Sequence, residues 1–243
     1  MEEIPERADP RKLDEKQRVS AIHMSGSMPR LESSIKDHLS PVLKSDGFFG
    51  SGRTFRRISG DLIHVVQVQG SRYGGKFAVN LGIQPVAIPD VAGNSPDAKK
   101  IKPEHCEFRR RLSEANSDQW WDHAESKESM DAAVRAVASI YATIGRRLFA
   151  DMSGPESPLH KITPAQFESG EYGFSGFGST KVRMARSLAL MRQSLGNLTD
   201  AGAFARIALA SLGSAQALRV ELEELCRATE VAFRKGGREP GKN

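Results

Sequence analysis

The sequence is poor in the residues on which several classes of protein depend. It contains two cysteines, Cys106 and Cys226, which lie far apart in the chain. We therefore expect two reduced thiols rather than a disulfide framework or a cysteine metal site. No apolar run approaches the length that spans a bilayer, and residues 1–30 carry charges without an apolar centre. This composition predicts a cytoplasmic protein with no secretory signal and no membrane partner.

The chain also lacks a large excess of charge of either sign. Its net charge is +5 over 243 residues, and 39% of the residues are hydrophobic and 27% charged. These proportions are typical of globular proteins. The mild positive charge permits an anionic partner but does not require one.

Composition and periodicity divide the chain into four parts. Residues 1–28 show no periodicity and are predicted to form a mobile N-terminal tail. Residues 29–151 carry the patterns of an α+β domain. Residues 152–180 are rich in Gly, Pro and Ser and are interpreted as a linker or a wrapped loop. Residues 181–236 are predicted to form a helical C-terminal extension.

Apolar residues at helical spacing predict two helices in the α+β domain. The first starts at Leu31 and ends at Gly47. Pro41 should kink or restart it, because proline has no N–H to donate and disfavours helical geometry at the residue before it. The second helix runs from about Ser126 to Asp151.

Alternating and β-branched runs between these helices predict four strands. They are Arg53–Ile58, Leu62–Gln69, Lys76–Gln84 and His105–Leu112. The first three are joined by short turns and should pair as an antiparallel meander. The predicted fold class is α+β, with a four-stranded antiparallel sheet and two helices in two layers.

The C-terminal extension is predicted to be an α-helical hairpin with a break at Gly196-Asn197. The alanines between Ala201 and Ala217 would let another helix approach closely. That helix could belong to this chain or to a second copy, so a homodimer through the extension is one prediction. Four basic residues lie between Lys181 and Arg192, but helical geometry spreads them around the helix.

Several short motifs in the domain resemble the bacterial domain-of-unknown-function family 4304 over residues of about 30–150. They are Gly47-Phe48-Phe49, Thr54-Phe55-Arg56-Arg57, Val66-Gln67-Val68-Gln69-Gly70-Ser71, Phe77-Ala78-Val79-Asn80-Leu81-Gly82-Ile83, Arg109-Arg110-Arg111-Leu112 and Trp120-Trp121. The resemblance implies a bacterial cytosolic α+β protein and brings no known activity.

The outward face of the sheet is the candidate binding site. Strand alternation should gather seven polar side chains there: Gln67, Gln69, Asn80, Gln84, Glu107, Arg109 and Arg111. Arg53 and Arg57 could join them from the sheet edge. Amides beside guanidinium groups suit a carboxylate, a phosphate or a polar backbone. A merely solvated face of an antiparallel sheet has the same pattern.

Catalytic chemistry has less support in the sequence. His105 and Glu107 should share one face of a strand, where they could serve as an acid–base pair or form a simple surface contact. His64 is predicted to be a hydrogen-bonded histidine in the core or at its edge. No spacing of His, Cys and carboxylates supplies a metal site, and no cofactor motif is present, so we expect neither.

These observations favour a non-catalytic module that binds a protein partner through the polar face or the added helices. Its size and style resemble those of immunity and defence accessory proteins, which is an analogy. Nucleic-acid binding is the alternative, and it requires several cations on one surface, ideally with aromatic rings for stacking. A hydrolase or nuclease built on His105 and Glu107 is a third hypothesis.

Overall fold

The structure is a computed structural model that describes residues 30–115 and 117–236. The predicted tail at residues 1–28 lies outside these residues. Helix α1 consists of three consecutive segments: an α-helical turn Leu31–Ser34, a π-helical segment Ile35–Leu39 and an α-helical segment Ser40–Ser45. Pro41 lies in the first turn of the last segment, where its missing N–H costs least. Ser40 keeps helical backbone angles, so the chain runs on without the predicted restart, and only the change from π-helical to α-helical geometry falls beside the proline.

The sheet is open, antiparallel and six-stranded rather than four-stranded. Its strands are β1 Phe49–Ser51, β2 Thr54–Ser59, β3 Leu62–Gly70, β4 Lys76–Pro85, β5 Phe108–Arg111 and β6 Trp121–Asp122. Strands β1 to β5 are neighbours in chain order, and β6 pairs with the start of β4. Strands β1 and β6 are the two that the sequence patterns missed, because three and two residues are too few to show alternation.

One face of the sheet belongs to the main hydrophobic core. Strand β3 contributes Leu62, Val66 and Val68 to it. Helix α2 packs there as well. Its segments are Lys127–Ile140, a π-helical segment Tyr141–Gly145 and Arg146–Asp151. Ser126 caps its first turn by accepting a hydrogen bond from the Ser129 N–H, so the predicted start and end of this helix are confirmed.

The opposite face of the sheet, called the outer face here, is partly covered. The connection between β4 and β5 folds across it, and Ile101 and Cys106 of that connection pack on Ile63 and Val65 of β3. A short 3₁₀ helix, Pro103–His105, ends the connection. Its close approach depends on Gly82, because a Cβ atom there would lie 2.7 Å from Cys106 Sγ.

The chain after Asp151 continues over the core instead of leaving it. Two short helices, α3 Pro158–Lys161 and α4 Pro164–Ser169, place Leu159 and Phe167 in the same core cluster. Phe174 and Phe177 follow them into the core. Residues 152–180 therefore wrap the domain with buried apolar side chains.

The C-terminal extension contains three helices where a hairpin of two was predicted. They are α5 Lys181–Ser194, α6 Leu198–Ala210 and α7 Arg219–Gly236, with a 3₁₀ turn Gln216–Leu218 before the last. Helix α6 packs against both α5 and α7. Its alanines Ala201, Ala205 and Ala208 are fully buried. They serve packing within the chain, and a homodimer through these helices stays a prediction without their support.

Candidate functional site

The part of the outer face that stays open is a groove of about 820 Å³. Its floor is formed by β3 and β4, and the turn at Pro103 and Glu104 forms one wall. Strand register places Gln67 directly opposite Asn80, and Asn80 directly opposite Arg111. Five of the seven predicted site residues line this groove: Gln67, Gln69, Asn80, Arg109 and Arg111.

The three amides on the groove floor form a short hydrogen-bonded chain. Asn80 Nδ2 donates to Gln69 Oε1 at 2.8 Å and to Gln67 Oε1 at 3.4 Å. Both glutamine carbonyl oxygens are thereby used as acceptors. Their NH₂ groups keep donor capacity, while Asn80 Oδ1 and the second lone pair of each glutamine oxygen keep acceptor capacity, so the floor offers both donors and acceptors.

Four arginines line the groove, and they differ in their partners. Arg53 pairs with Glu32 at 2.8 Å, and Arg111 pairs with Asp118 at 2.8 Å. Arg110 is half-buried and donates to the Ser175 and Arg111 carbonyl oxygens. Exposed Arg109 donates to the Glu104 carbonyl oxygen at 3.3 Å. No carboxylate of the described residues lies within 4.0 Å of its guanidinium group.

Arg53 was predicted only as an edge contributor, and the structure makes it a groove residue. Arg57 does not join it. It lies on the core side of β2, where it donates to the Asp46 carbonyl oxygen and stacks over the Phe48 ring. Its position follows from strand alternation, since its register partner is His64 on the core face of β3.

Gln84 was predicted to lie on the open polar face, and this is wrong. Its side chain is fully buried under the β4–β5 connection. Its Nε2 donates to carbonyl oxygens of that connection, including that of Ile88 at 3.1 Å. Its Oε1 accepts from the Glu107 backbone N–H. The side chain therefore holds the connection on the sheet.

Glu107 does not lie on the open face either. It is buried, and its Oε1 lies 3.3 Å from Arg186 Nη1. Arg186 of α5 also forms a two-point pair with Glu221 of α7. Burial raises the pKa of Glu107, and the Arg186 charge opposes that rise. The cause of the wrong prediction is a residue 79 positions later in the chain, which no local pattern reveals.

This burial also separates the proposed acid–base pair. His105 lies on the surface, 4.0 Å from a carboxylate oxygen of Asp90. Glu107 faces Arg186 in the interior. The hydrolase or nuclease hypothesis therefore loses the site on which it rested.

Two serine–histidine contacts lie elsewhere in the molecule, and neither has the arrangement of a catalytic nucleophile and its base. His64 is fully buried, as predicted, and its Nδ1 accepts from Arg57 Nε at 3.1 Å. Burial and the Arg57 charge lower its pKa to about 3, so the ring is neutral with its proton on Nε2. That proton points at Ser153 Oγ, 3.1 Å away. A ring in this tautomer cannot remove the proton from Ser153.

The second contact has the three groups of a serine triad. His160 lies between Ser157 Oγ at 2.9 Å and Asp61 Oδ2 at 2.8 Å. The order of exposure in this group is the reverse of what catalysis needs, because Ser157 is 4% exposed while the Asp61 side chain is half exposed. A substrate would reach the carboxylate before the hydroxyl. The contact instead ties the turn after β2 to helix α3.

The paired tryptophans have different surroundings. Trp121 is buried and stacks on Phe77 with ring centroids 5.9 Å apart. Trp120 lies beside the groove arginines, with the Arg111 guanidinium 4.8 Å and the Lys76 ammonium 5.5 Å from its ring centre. Two cations already contact this ring, which reduces its use as a platform for a base.

Comparison with known families agrees with this architecture. Residues 39–146 match a family model described as Domain of unknown function (DUF4304). This segment is similar to that family and is called the DUF4304 domain below. The suspected resemblance is thus confirmed, and the match covers all six strands, the second half of α1 and most of α2. Comparison with curated proteins and with solved structures gave no match. All residues that line the groove except Gly178 lie within the matched segment, and the helices after it lie beyond the match.

The described residues, 30–115 and 117–236, contain neither a membrane-spanning helix nor a cluster of metal ligands. None of their helices combines the length and the hydrophobicity needed to cross a bilayer. Within the same residues, no group of three His, Cys, Asp or Glu side chains could hold a metal ion.

Proposed function

We propose that the protein is a non-catalytic module that binds a protein partner in the groove on its sheet. The observation that carries this proposal is the groove itself. It is formed, polar and rich in hydrogen-bond donors, and Arg109 offers an exposed guanidinium group in it. Protein interfaces favour such arginines, because the planar fork binds carboxylates and backbone carbonyls. Bacterial origin and a role in immunity or defence stay predictions.

The distribution of charge favours a protein over a nucleic acid. Two groove arginines already have carboxylate partners, Glu32 and Asp118. Two of the four basic residues on α5, Arg186 and Arg192, are buried and point inward. A nucleic-acid surface needs several free cations that follow a phosphate backbone. The groove supplies too few such cations to bind a phosphate backbone.

Affinity capture with the full chain tests this proposal. The chain is immobilised and exposed to an extract of its source organism, together with an Arg109→Ala variant. Arg147→Ala is the matched control, since its side chain is 83% exposed on α2 outside the groove. We expect at least one protein whose retention falls about tenfold with Arg109→Ala, as loss of a charge-assisted contact predicts, but not with Arg147→Ala.

Two results would contradict the proposal. A set of captured proteins that is the same for wild type and Arg109→Ala would remove the groove from the interaction. Retention of DNA or RNA that weakens steeply with salt would replace the proposal by the nucleic-acid alternative.

A further inference from the structure

The hydrogen-bond donors and acceptors that line the groove indicate the chemistry of its ligand. On the floor, the two glutamine carbonyl oxygens are occupied by Asn80, which leaves amide N–H groups as the available donors. Arg109 adds guanidinium donors at the β5 side. The guanidinium group can only donate, whereas the amides can both donate and accept, so a ligand that combines an anionic oxygen with peptide groups is complementary to this surface.

The charge of the groove then limits how negative the ligand can be. Glu104 lines the groove, and Glu32 and Asp118 hold two of the arginines around it. These carboxylates repel a doubly charged phosphate more strongly than a singly charged group. Arg109 is exposed, and among the described residues its guanidinium group donates to one carbonyl oxygen, that of Glu104. One carboxylate on the ligand would give the Arg109 guanidinium group a charged partner.

The spacing of the strands determines what kind of ligand could contact Arg109 and the amides at the same time. Arg109 faces Gly82, two positions along β4 from Asn80. Two residues along a strand span about 7 Å. Gln67 lies opposite Asn80 on β3, two strands across from Arg109, so the full separation is about 12 Å. An extended peptide covers this distance with about four of its own residues, so an acidic side chain on Arg109 lets peptide carbonyls on one side of it reach the amides.

We propose that the groove binds an extended peptide segment through a single aspartate or glutamate side chain held by Arg109. This inference rests on the proposed function, because it names the ligand of the same groove. The amides Gln67 and Gln69 donate to the peptide carbonyl oxygens on one side of the acidic residue. Glu104, Glu32 and Asp118 disfavour a phosphorylated segment.

Peptide pools test the inference directly on the full chain. Three pools of short random peptides carry a fixed central glutamate, glutamine or phosphoserine. We expect the glutamate pool to bind about tenfold more tightly than the glutamine pool, the effect of one charge-assisted contact. Arg109→Ala should abolish this preference. Arg109→Lys should weaken it as well, since lysine keeps the charge but not the planar fork.

The outcomes separate this inference from the proposed function. Equal binding of the glutamate and glutamine pools would overturn the carboxylate anchor, while groove-dependent capture of a protein would leave the proposed function standing. Preference for phosphoserine would overturn the choice of carboxylate over phosphate. A glutamate preference that survives Arg109→Ala and Arg109→Lys would place the anchor elsewhere. Capture that depends on Arg109 without binding of any pool would overturn the extended-peptide ligand alone.

Discussion

Among single residues, His64 contributes the clearest dependence of stability on pH. Its ring stacks on Phe149 at 4.5 Å and hydrogen-bonds to Arg57 and Ser153. Its folded-state pKa of about 3 lies below the ordinary histidine pKa of about 6.5. The unfolded chain therefore takes up a proton on this ring first as the pH falls. The stability it contributes is complete above about pH 6.5 and is lost between that pH and about pH 3.

Urea unfolding at several pH values measures this loss. Between pH 6.5 and 4.5, the free energy of unfolding should fall with a slope of up to about 1.4 kcal/mol per pH unit from this group. His64→Gln cannot titrate, so its slope should be flatter by that amount, although its stability at neutral pH is lower. Glu107 changes stability in the opposite direction over this range, because its pKa is raised. Wild type and His64→Gln both contain Glu107, so subtracting one stability curve from the other removes its contribution. If the free energy of unfolding fell with the same slope in wild type and His64→Gln, His64 would not titrate as described.

At the scale of elements, the sheet and the connection between β4 and β5 meet at Gly82. A Cβ atom there would lie 2.7 Å from Cys106 Sγ and 3.1 Å from Pro103 Cα. Gly82→Ala should therefore lift the connection and cost about 1–3 kcal/mol of stability, as overpacking does. The groove wall at Pro103 would move with it.

Thiol labelling detects this movement, because Cys106 is buried and burial raises the pKa of its thiol. In a Cys226→Ser background, Gly82→Ala should label faster than the parent. Gly178→Ala is the matched control, since its new Cβ would meet Met184 Sδ at an ordinary 3.5 Å. Unchanged labelling of Gly82→Ala would show that the connection tolerates a side chain beneath it.

The sequence predicts the elements better than it predicts what covers them. Strands β3 and β4 were placed within one residue of their ends, because alternation and β-branched runs act locally. The cover on the outer face comes from a proline-rich connection without periodicity. A signal for it was present: Ile63 and Val65 share the outer face of β3 with Gln67. Two apolar residues on a face expected to be solvated indicate that something packs there.

For the whole molecule, the decisive contact joins the DUF4304 domain to the helices after it. Arg186 bridges buried Glu107 of the domain and Glu221 of α7. Arg186→Met should cost about 3–5 kcal/mol, because it leaves an acid buried without its cation. Its stability is measured by chemical unfolding. Arg219→Met is the control, and its half-exposed pair with Glu223 should be worth less than about 1 kcal/mol.

A second substitution identifies the cause of this loss. Adding Glu107→Gln to Arg186→Met removes the stranded acid, so the double variant should recover part of the stability. Strictly additive losses would mean that Arg186 acts through packing and not through its charge.

The buried pair also has a consequence for inheritance. The family boundary ends at residue 146, yet the hydrophobic core continues through Leu225. A gene that lost the codons after residue 180 would keep the segment that matches the family and expose Glu107, which is buried against Arg186 in the full chain. A change at position 107 or 186 alone leaves a buried group without its partner, so we expect these two positions to change together, and the unit that must be inherited intact is larger than the segment that the family model matches.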